Sequence, residues 1–491
     1  MTATSDSVDP ATRGIDLARS PGLSYQQLLD EDTHPVPDVL RLESARSFGS
    51  EDIPIERYTS REWHRREVER LWKRVWQFAC REEHIPNVGD YVLYEIAELS
   101  FLVVRHAEPT ADDHGIKAYP NACLHRGRQL KEYDGHCSEI RCPFHGFAWT
   151  LDGDLHDVPA AWDFPHVDQR PDEFSLPELR VDTWAGFVFI NPDPECGSLD
   201  DHLGELVEQF EVWDLGNRYV EAHVSRVIEA NWKIAQEAFC EAYHVNATHP
   251  QILPYLGDTN SQIDVWDRCA RVITPGGTPS PLLGDEPGLS EQDVLRSMLD
   301  VRVDQQAPFE LPDGVTARAA AAGAARERWR PIAGDRVDQM SDSEMMDSID
   351  YTAFPNFHPW GAFNRIVYRF RPNGDDHRTS IMECFFLSPF EGERPPPAVE
   401  TKLGVDDPWT EATELGMLAK VFEQDVFNMA KVQKGLETTW KPGATFSNYQ
   451  ESKIRWLHAL YDEWVGTEPV AAVAVGDPVP RQARSTERGR R

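Results

Sequence analysis

The chain of 491 residues has no apolar run near the roughly eighteen residues that a membrane helix needs. Its first fifty residues also lack a basic start followed by an apolar stretch. These absences predict a protein without membrane spans or a leader, working in the cytoplasm. Basic charge is scarce: 49 Lys and Arg stand against 83 Asp and Glu, a formal net charge of −34. That balance repels phosphate backbones and anionic lipid, which excludes nucleic acid and membrane surfaces as partners. The 8 cysteines are thinly spread, and Cys80, Cys137, Cys196, Cys240, Cys269 and Cys384 show no paired spacing. The pattern predicts free thiols in a reducing compartment rather than a disulfide framework. There is no internal repeat, no glycine fingerprint for a flavin or nicotinamide, and no plant-type ferredoxin cysteine set.

Two short Cys/His pairs stand out against this background. Cys123-Leu124-His125 and Cys142-Pro143-Phe144-His145 are separated by sixteen residues, and each is followed closely by glycine. Two cysteines and two histidines satisfy a tetrahedral zinc ion. They also satisfy a Rieske [2Fe–2S] cluster, with both thiolates on one iron and both imidazoles on the other. Zinc fingers usually group their cysteines first and histidines second, whereas here each segment contributes one of each. Two opposed loops can then sort sulfur to one iron and nitrogen to the other, which favours the cluster and a role in electron transfer.

Read through Cys123-Leu124-His125-Arg126-Gly127 and Cys142-Pro143-Phe144-His145-Gly146, the segment resembles the Rieske portion of ring-hydroxylating oxygenase alpha subunits. Respiratory Rieske proteins usually add a cysteine to each loop, and the two form a disulfide; here those places hold Arg128 and Phe144. The serine that donates to cluster sulfide in those proteins is replaced by Phe147. Fewer hydrogen bonds imply a potential near the roughly −150 mV end of the Rieske range.

The resemblance covers about Tyr58 to Gly466 and implies an α+β chain. A small all-β Rieske domain is expected over residues 79–194. A helix-grip, START-like α+β catalytic domain with an antiparallel sheet is expected over 195–466. Residues 51–78 read as a helical segment packing on the catalytic domain, because Trp63, Val68, Leu71, Trp72 and Val75 build an apolar face. Strands are predicted at Tyr91–Tyr94, Phe101–Arg105 and Gly186–Asn191. Ile366–Arg371 and Thr379–Leu387 flank the turn Pro372-Asn373-Gly374-Asp375 and read as a hairpin. Helices are predicted over Trp232–His244 and Glu411–Glu437. Residues 310–347 read as a helical insertion over a pocket, a subunit contact or bare surface, and residues 1–50 and 467–491 as mobile tails.

A cluster that moves single electrons leaves some three hundred residues to be explained. Asn231 to Pro250, NWKIAQEAFCEAYHVNATHP, resembles the family's mononuclear iron segment. His244 and His249 would then be two ligands of a 2-His-1-carboxylate site. Residues five apart diverge by about 140° on an ideal helix, so two such imidazoles meet one ion only where the helix ends or bulges. Pro250 supports an ending, since it disfavours helical geometry at His249. The resemblance assigns the carboxylate to Asp425, in Phe422-Glu423-Gln424-Asp425 followed by Gln433-Lys434-Gly435, with Glu423 as the neighbouring rival.

Glu237, Glu241 and His244 fall on one face if the segment is helical throughout. The resemblance gives Glu241 the task of linking a mononuclear-site histidine to a Rieske histidine of the neighbouring subunit, which a carboxylate does by accepting from two imidazoles. Many dioxygenases have aspartate there, while members acting on quaternary amines often have glutamate. Where many members carry asparagine, this chain has Ala238. Phe354-Pro355-Asn356-Phe357-His358-Pro359-Trp360 resembles a pocket-lining strand, with His358 read as pocket polarity or packing rather than a metal ligand.

The resemblance implies a terminal oxygenase holding a [2Fe-2S] Rieske cluster and a mononuclear Fe(II). Electrons would come from an external NAD(P)H-dependent reductase, with or without a ferredoxin. Such an enzyme uses O2 to hydroxylate a small organic substrate, foremost an aromatic or polycyclic hydrophobic compound, with a quaternary ammonium compound as the rival. A homotrimer, with or without a beta subunit, is the expected assembly. A Rieske electron carrier whose second domain only binds partners is the alternative of a different class.

Overall fold

A computed structural model of the chain describes residues 23–111, 113–284, 288–301 and 310–466. The expected tail 467–491 and the first 22 residues of the expected tail 1–50 lie outside the described residues. The chain divides into two compact units. One holds the residues up to Leu71, Ile96–Glu98 and Ser198–Gly466; the other holds Trp72–Glu95 and Leu99–Gly197.

The smaller unit is built from short antiparallel strands. Ile116–Pro120, Leu99–Arg105, Asp90–Ile96 and Gly135–His136 lie side by side in that order. A second sheet is the meander Ile140–Arg141, Ala148–Trp149 and Leu155–Asp157, and a third joins Arg180–Trp184, Phe187–Asn191 and Gln77–Arg81. Leu102, Val104, Tyr119, Ile140, Phe147 and Trp149 form its core together with Cys123 and Cys142. The strands read from the sequence are present: those at Tyr91–Tyr94 and Phe101–Arg105 are longer, as Asp90–Ile96 and Leu99–Arg105, and that at Gly186–Asn191 begins one residue later, at Phe187. The helix expected through residue 78 is shorter: Arg61–Glu67 is α-helical and Val68–Trp72 a π-turn, after which Gln77–Arg81 is extended.

The larger unit centres on an eight-stranded sheet. Its strands are β1 (Arg218–Ile228), β2 (Gln262–Val265), β3 (Cys269–Thr274), β4 (Ser348–Ala353), β5 (Phe357–Pro359), β6 (Ile366–Asn373), β7 (Asp376–Pro389) and β8 (Thr401–Leu403), in the order β2-β3-β4-β5-β6-β7-β1-β8. All pairs are antiparallel except β1 with β8. The β6–β7 hairpin turns at Gly374-Asp375, where Gly374 takes φ 56°.

Period-two alternation gives this sheet two different faces. One face carries buried ion pairs: Arg271 with Asp264, and Arg369 and Arg371 with Glu383. Each holds charge out of water against a partner, and removing one member of such a pair typically costs about 3–5 kcal/mol. The other face presents Val224, Tyr368, Phe370, Met382 and Cys384, and helices cover it. These are α1 (Trp232–Glu237), on β6 and β7; α4 (Leu418–Thr438), on α1 and β1; and α5 (Ser452–Val465), on β2 and β3. The sequence reading did not predict α5.

Two expectations about the periphery are corrected or filled in. Residues 23–50 are not a mobile tail: Tyr25–Leu29 and Asp38–Arg41 are helical, and Leu29 and Leu40 are buried. Arg271 donates to the carbonyls of Val39 and Leu42 at 2.7 Å each, and Tyr25 Oη donates to Asp347, so buried polar groups strap this segment to the sheet. In the expected insertion, α3 (Ala317–Ala333) is held by Arg318 paired with Asp347 and Arg326 paired with Asp342.

Candidate functional site

In the smaller unit the two Cys/His loops close in the same way. Cys123 N donates to Arg128 O and Gly127 N to Cys123 O, both at 2.8 Å; Cys142 N donates to Phe147 O at 2.9 Å and Gly146 N to Cys142 O at 3.1 Å. Gly127 and Gly146 sit at φ 74° and 84°, where a side chain would be strained. Both thiols are buried and within hydrogen-bond reach of each other, while His145 is exposed and its ring centroid lies 4.7 Å from that of His125. His125 stacks on Phe147 at 4.7 Å, and its Nδ1 is buried without a hydrogen-bond partner. Paired sulfurs inside, paired imidazoles toward the surface and an orphaned ring nitrogen suit a [2Fe–2S] cluster.

In the larger unit, α1 begins where Asn231 Oδ1 caps Lys233 N, and it ends at Glu237. The expectation of one helix from Trp232 to His244 is therefore wrong, and so is the shared helical face of Glu237, Glu241 and His244. The chain turns through Ala238–Tyr243 and re-forms a single turn, α2 (Val245–Thr248), with His244 at its start. His249 follows α2 at φ −126°, ψ 53°, outside the helical region that Pro250 disfavours. This break brings together two imidazoles that a continuous helix would hold apart.

Asp425 comes from α4, whose buried positions Ala419, Phe422, Asp425, Met429 and Gln433 form one stripe. A carboxylate in such a stripe needs partners, since an isolated buried charge is costly. It finds them in His249 Nε2, 2.7 Å from Asp425 Oδ1, and His244 Nε2, 3.5 Å away. One donor atom from each of the three residues lies within 4.8 Å of the others. The opposite nitrogens are also engaged. Glu241 Oε1 lies 2.8 Å from His244 Nδ1 and Glu241 Oε2 accepts from His244 N at 2.8 Å. Gln424 Oε1 lies 2.8 Å from His249 Nδ1 and also accepts from Gln251 Nε2. Acceptors at both Nδ1 atoms leave both Nε2 atoms turned toward Asp425, and with the Nε2 protons displaced the three residues form a donor set that suits a facial 2-His-1-carboxylate site for ferrous iron.

Burial disfavours charge on His244, but Glu241 and Asp425 outweigh it and push its pKa up to about 10. Burial likewise works against an ionised Asp425, but hydrogen bonds from His244 and His249 hold its carboxyl below the usual range. His249 and Asp425 are sealed from solvent, whereas the His244 side chain keeps 26% of its surface exposed, so the site is open on that side. Glu423, the rival carboxylate, points away and pairs with Arg226. Glu237 points to His458 of α5, whose Nε2 lies 2.8 Å from its Oε1, and accepts there from Tyr58 Oη at 2.9 Å. A second group of close donors among the described residues, His223, Glu383 and Glu400, does not suit an ion, because Arg369 and Arg371 already occupy both oxygens of Glu383.

Sequence reasoning missed Gln424. A residue adjacent to a ligand is displaced by about 100° on a helix, so its role shows only when the position of His249 is known. Asp425 carried a signal beyond the resemblance: it is a carboxylate spaced three and four residues from Phe422 and Met429 on an apolar stripe.

Residues 215–467 match the family described as ring hydroxylating alpha subunit (catalytic domain), and residues 75–168 match the Rieske [2Fe-2S] domain. The chain belongs to the ring-hydroxylating alpha subunit family. It is 32% identical over 204 residues to the carnitine monooxygenase oxygenase subunit of Escherichia coli (strain K12), which covers 40% of this chain and 52% of that protein. It is 33% identical over 198 residues to the chlorobenzene dioxygenase subunit alpha of Cupriavidus sp. (strain PS12), covering 39% of this chain and 42% of that one. The alignments thus span about half the length of these relatives. Among solved structures, a quaternary ammonium Rieske monooxygenase in complex with L-carnitine superposes with a TM-score of 0.57 at 17% identity, over 84% of this chain and 95% of that one. Naphthalene 1,2-dioxygenase bound to phenanthrene gives 0.58 at 19% identity, over 86% and 93%. Likeness at these identities speaks for the fold. Among the described residues no helix is long and apolar enough to cross a membrane.

Proposed function

We propose that the chain is the terminal oxygenase component of a multicomponent Rieske oxygenase, hydroxylating an aromatic or polycyclic ring compound with O2 and externally supplied electrons. The observation that carries this reading is the convergence of His244, His249 and Asp425, within 4.8 Å of one another, in a chain that also pairs Cys123/His125 with Cys142/His145. Cys123, His125, Cys142 and His145 would hold the cluster; His244, His249 and Asp425 would hold iron. When bound, these groups supply single-electron transfer and the activation of dioxygen.

The protein's own part is to orient and to exclude water. Gln424 and Glu241 fix the tautomers of His249 and His244 through Nδ1. Glu241 has a further assignment, the link to a Rieske histidine of a neighbouring subunit. Phe239, Tyr368, Phe370 and Phe422 pack ring against ring beside Asp425, which favours a flat apolar substrate. An NAD(P)H-dependent reductase, with or without a ferredoxin, and a trimeric assembly, with or without a beta subunit, complete the proposal.

A second reading, oxidation of a quaternary ammonium compound, is favoured by the glutamate at 241. Reconstitution with a reductase and isotopically labelled dioxygen tests both. The first reading expects label in a ring-hydroxylated product, the second expects release of an aldehyde or a tertiary amine, and oxygen-independent behaviour with either substrate set rejects both.

A further inference from the structure

The helix-covered face of the sheet carries a polar patch at its centre. There Asp350, Thr352, His358 and Trp360 occupy one face of β4, β5 and the residue beyond, with Asp350 opposite Trp360 and His358 opposite Tyr368. Three of the four are fully buried or nearly so: Asp350 is 2% exposed, Thr352 and His358 0%. Part of their hydrogen-bonding capacity is met internally. Lys453 Nζ on α5 pairs with Asp350 Oδ2 at 2.7 Å, and Thr352 Oγ1 lies 2.8 Å from His358 Nδ1. The remainder is not: Asp350 Oδ1, His358 Nε2 and Trp360 Nε1 are buried without a partner. Leaving one such atom unpaired is costly, so three on one patch mark a place where something polar belongs.

The patch adjoins the reaction site. Thr352 is within hydrogen-bond reach of the Cys240 thiol, next in sequence to Glu241. Tyr368 lies within electrostatic reach of both Asp350 and Asp425, and the Trp360 ring stands 5.8 Å from that of Tyr368. Tyr368 thus links the patch to the three donor residues.

The chemistry of the patch selects its ligand. Lys453 and Asp350 cancel one another, and burial, reinforced by Lys453, keeps His358 neutral. The patch therefore offers no net charge to an ionic group. It offers one fixed donor, Trp360 Nε1–H, one fixed acceptor, Asp350 Oδ1, and His358 Nε2, whose role follows its tautomer. A hydroxyl group, which donates and accepts at once, meets that set; a bare hydrocarbon leaves it unsatisfied.

We propose that Asp350, His358 and Trp360 form a specificity subsite for a neutral hydroxyl group on the ring substrate. This deepens the oxygenase reading and rests on it. Equilibrium dialysis of the full-length, iron-loaded protein against 2-naphthol and naphthalene at pH 7 tests it without requiring turnover. The expected result is binding of 2-naphthol about tenfold or more tighter than naphthalene. Trp360→Phe and His358→Leu should each weaken 2-naphthol binding more than naphthalene binding, so that most of that preference is lost. Equal affinities, a preference for naphthalene, binding of neither, or variants that weaken both ligands alike would overturn the subsite. Iron content and oxygen consumption, followed in parallel, report on the oxygenase reading separately, so the two can fail independently.

Discussion

Gln424 Oε1 lies 2.8 Å from His249 Nδ1, while the adjacent residue, Asp425, places Oδ1 2.7 Å from Nε2 of the same ring. Two consecutive residues of α4 therefore grip one imidazole by both nitrogens. Gln424→Leu should lower iron affinity about 10- to 100-fold, the usual effect of losing such a partner. Gln424→Glu, which retains an acceptor, should keep most of it. Iron remaining after dialysis against graded chelator measures this, and unchanged retention in Gln424→Leu would remove Gln424 from the account.

Glu241 carries the second orienting contact, but its proposed role reaches further. Glu241→Gln preserves an oxygen acceptor for His244 Nδ1 and removes the charge. Iron content should stay near that of the unaltered protein while oxidation of the reduced cluster, followed by stopped-flow absorbance with substrate and O2, slows by about tenfold or more. Loss of iron without a change in that rate would make Glu241 a positioning group for His244 alone.

Phe147 stacks on His125 where a hydroxyl-bearing residue would donate toward the cluster. Phe147→Ser should shift the midpoint potential to more positive values, because a donor to cluster sulfide stabilises the reduced state. A redox titration monitored by electron paramagnetic resonance reads this directly, and an unchanged or more negative potential would contradict it.

Two buried histidines make stability depend on pH. His202 Nε2 donates to Phe354 O, 2.8 Å away, and burial takes its pKa down to about 4; His358 is also held well below the ordinary value. In the unfolded chain both bind a proton below about pH 6.5, while the folded protein does not until about pH 4 at His202. The unfolded state thus holds more protons in that window, and stability falls as pH falls, by about 1.4 kcal/mol per pH unit for each histidine. Urea denaturation from pH 7 to pH 4.5 should show that decline, reduced in His358→Leu. A flat profile would mean that these rings are charged in the fold.

Much of this was legible in the sequence, for identifiable physical reasons. The Rieske loops are local: ligand spacing, glycine positions and loop closure all lie within two short segments. The sheet was only partly visible. Strand β1 and the buried strands β2 and β3 lack turn chemistry as clear as Gly374-Asp375, and α5 has buried polar residues such as Lys453 and His458 that blur its apolar face. The break at Glu237 was hidden because local propensity favours helix through residue 244, whereas the convergence of His244 and His249 on Asp425 favours a turn. The strap over residues 23–50 was misread as a tail because its short helices bury few side chains and are held by hydrogen bonds from residues more than two hundred positions away.

The central claim is that this chain holds a mononuclear iron in addition to a cluster. Iron analysis of the purified protein and of Asp425→Ala, each with its visible spectrum, tests it most directly. Three irons per chain are expected for the unaltered protein and two for Asp425→Ala, with the cluster spectrum intact and oxygen consumption abolished. Two irons in both proteins, with equal behaviour toward O2, would contradict the account.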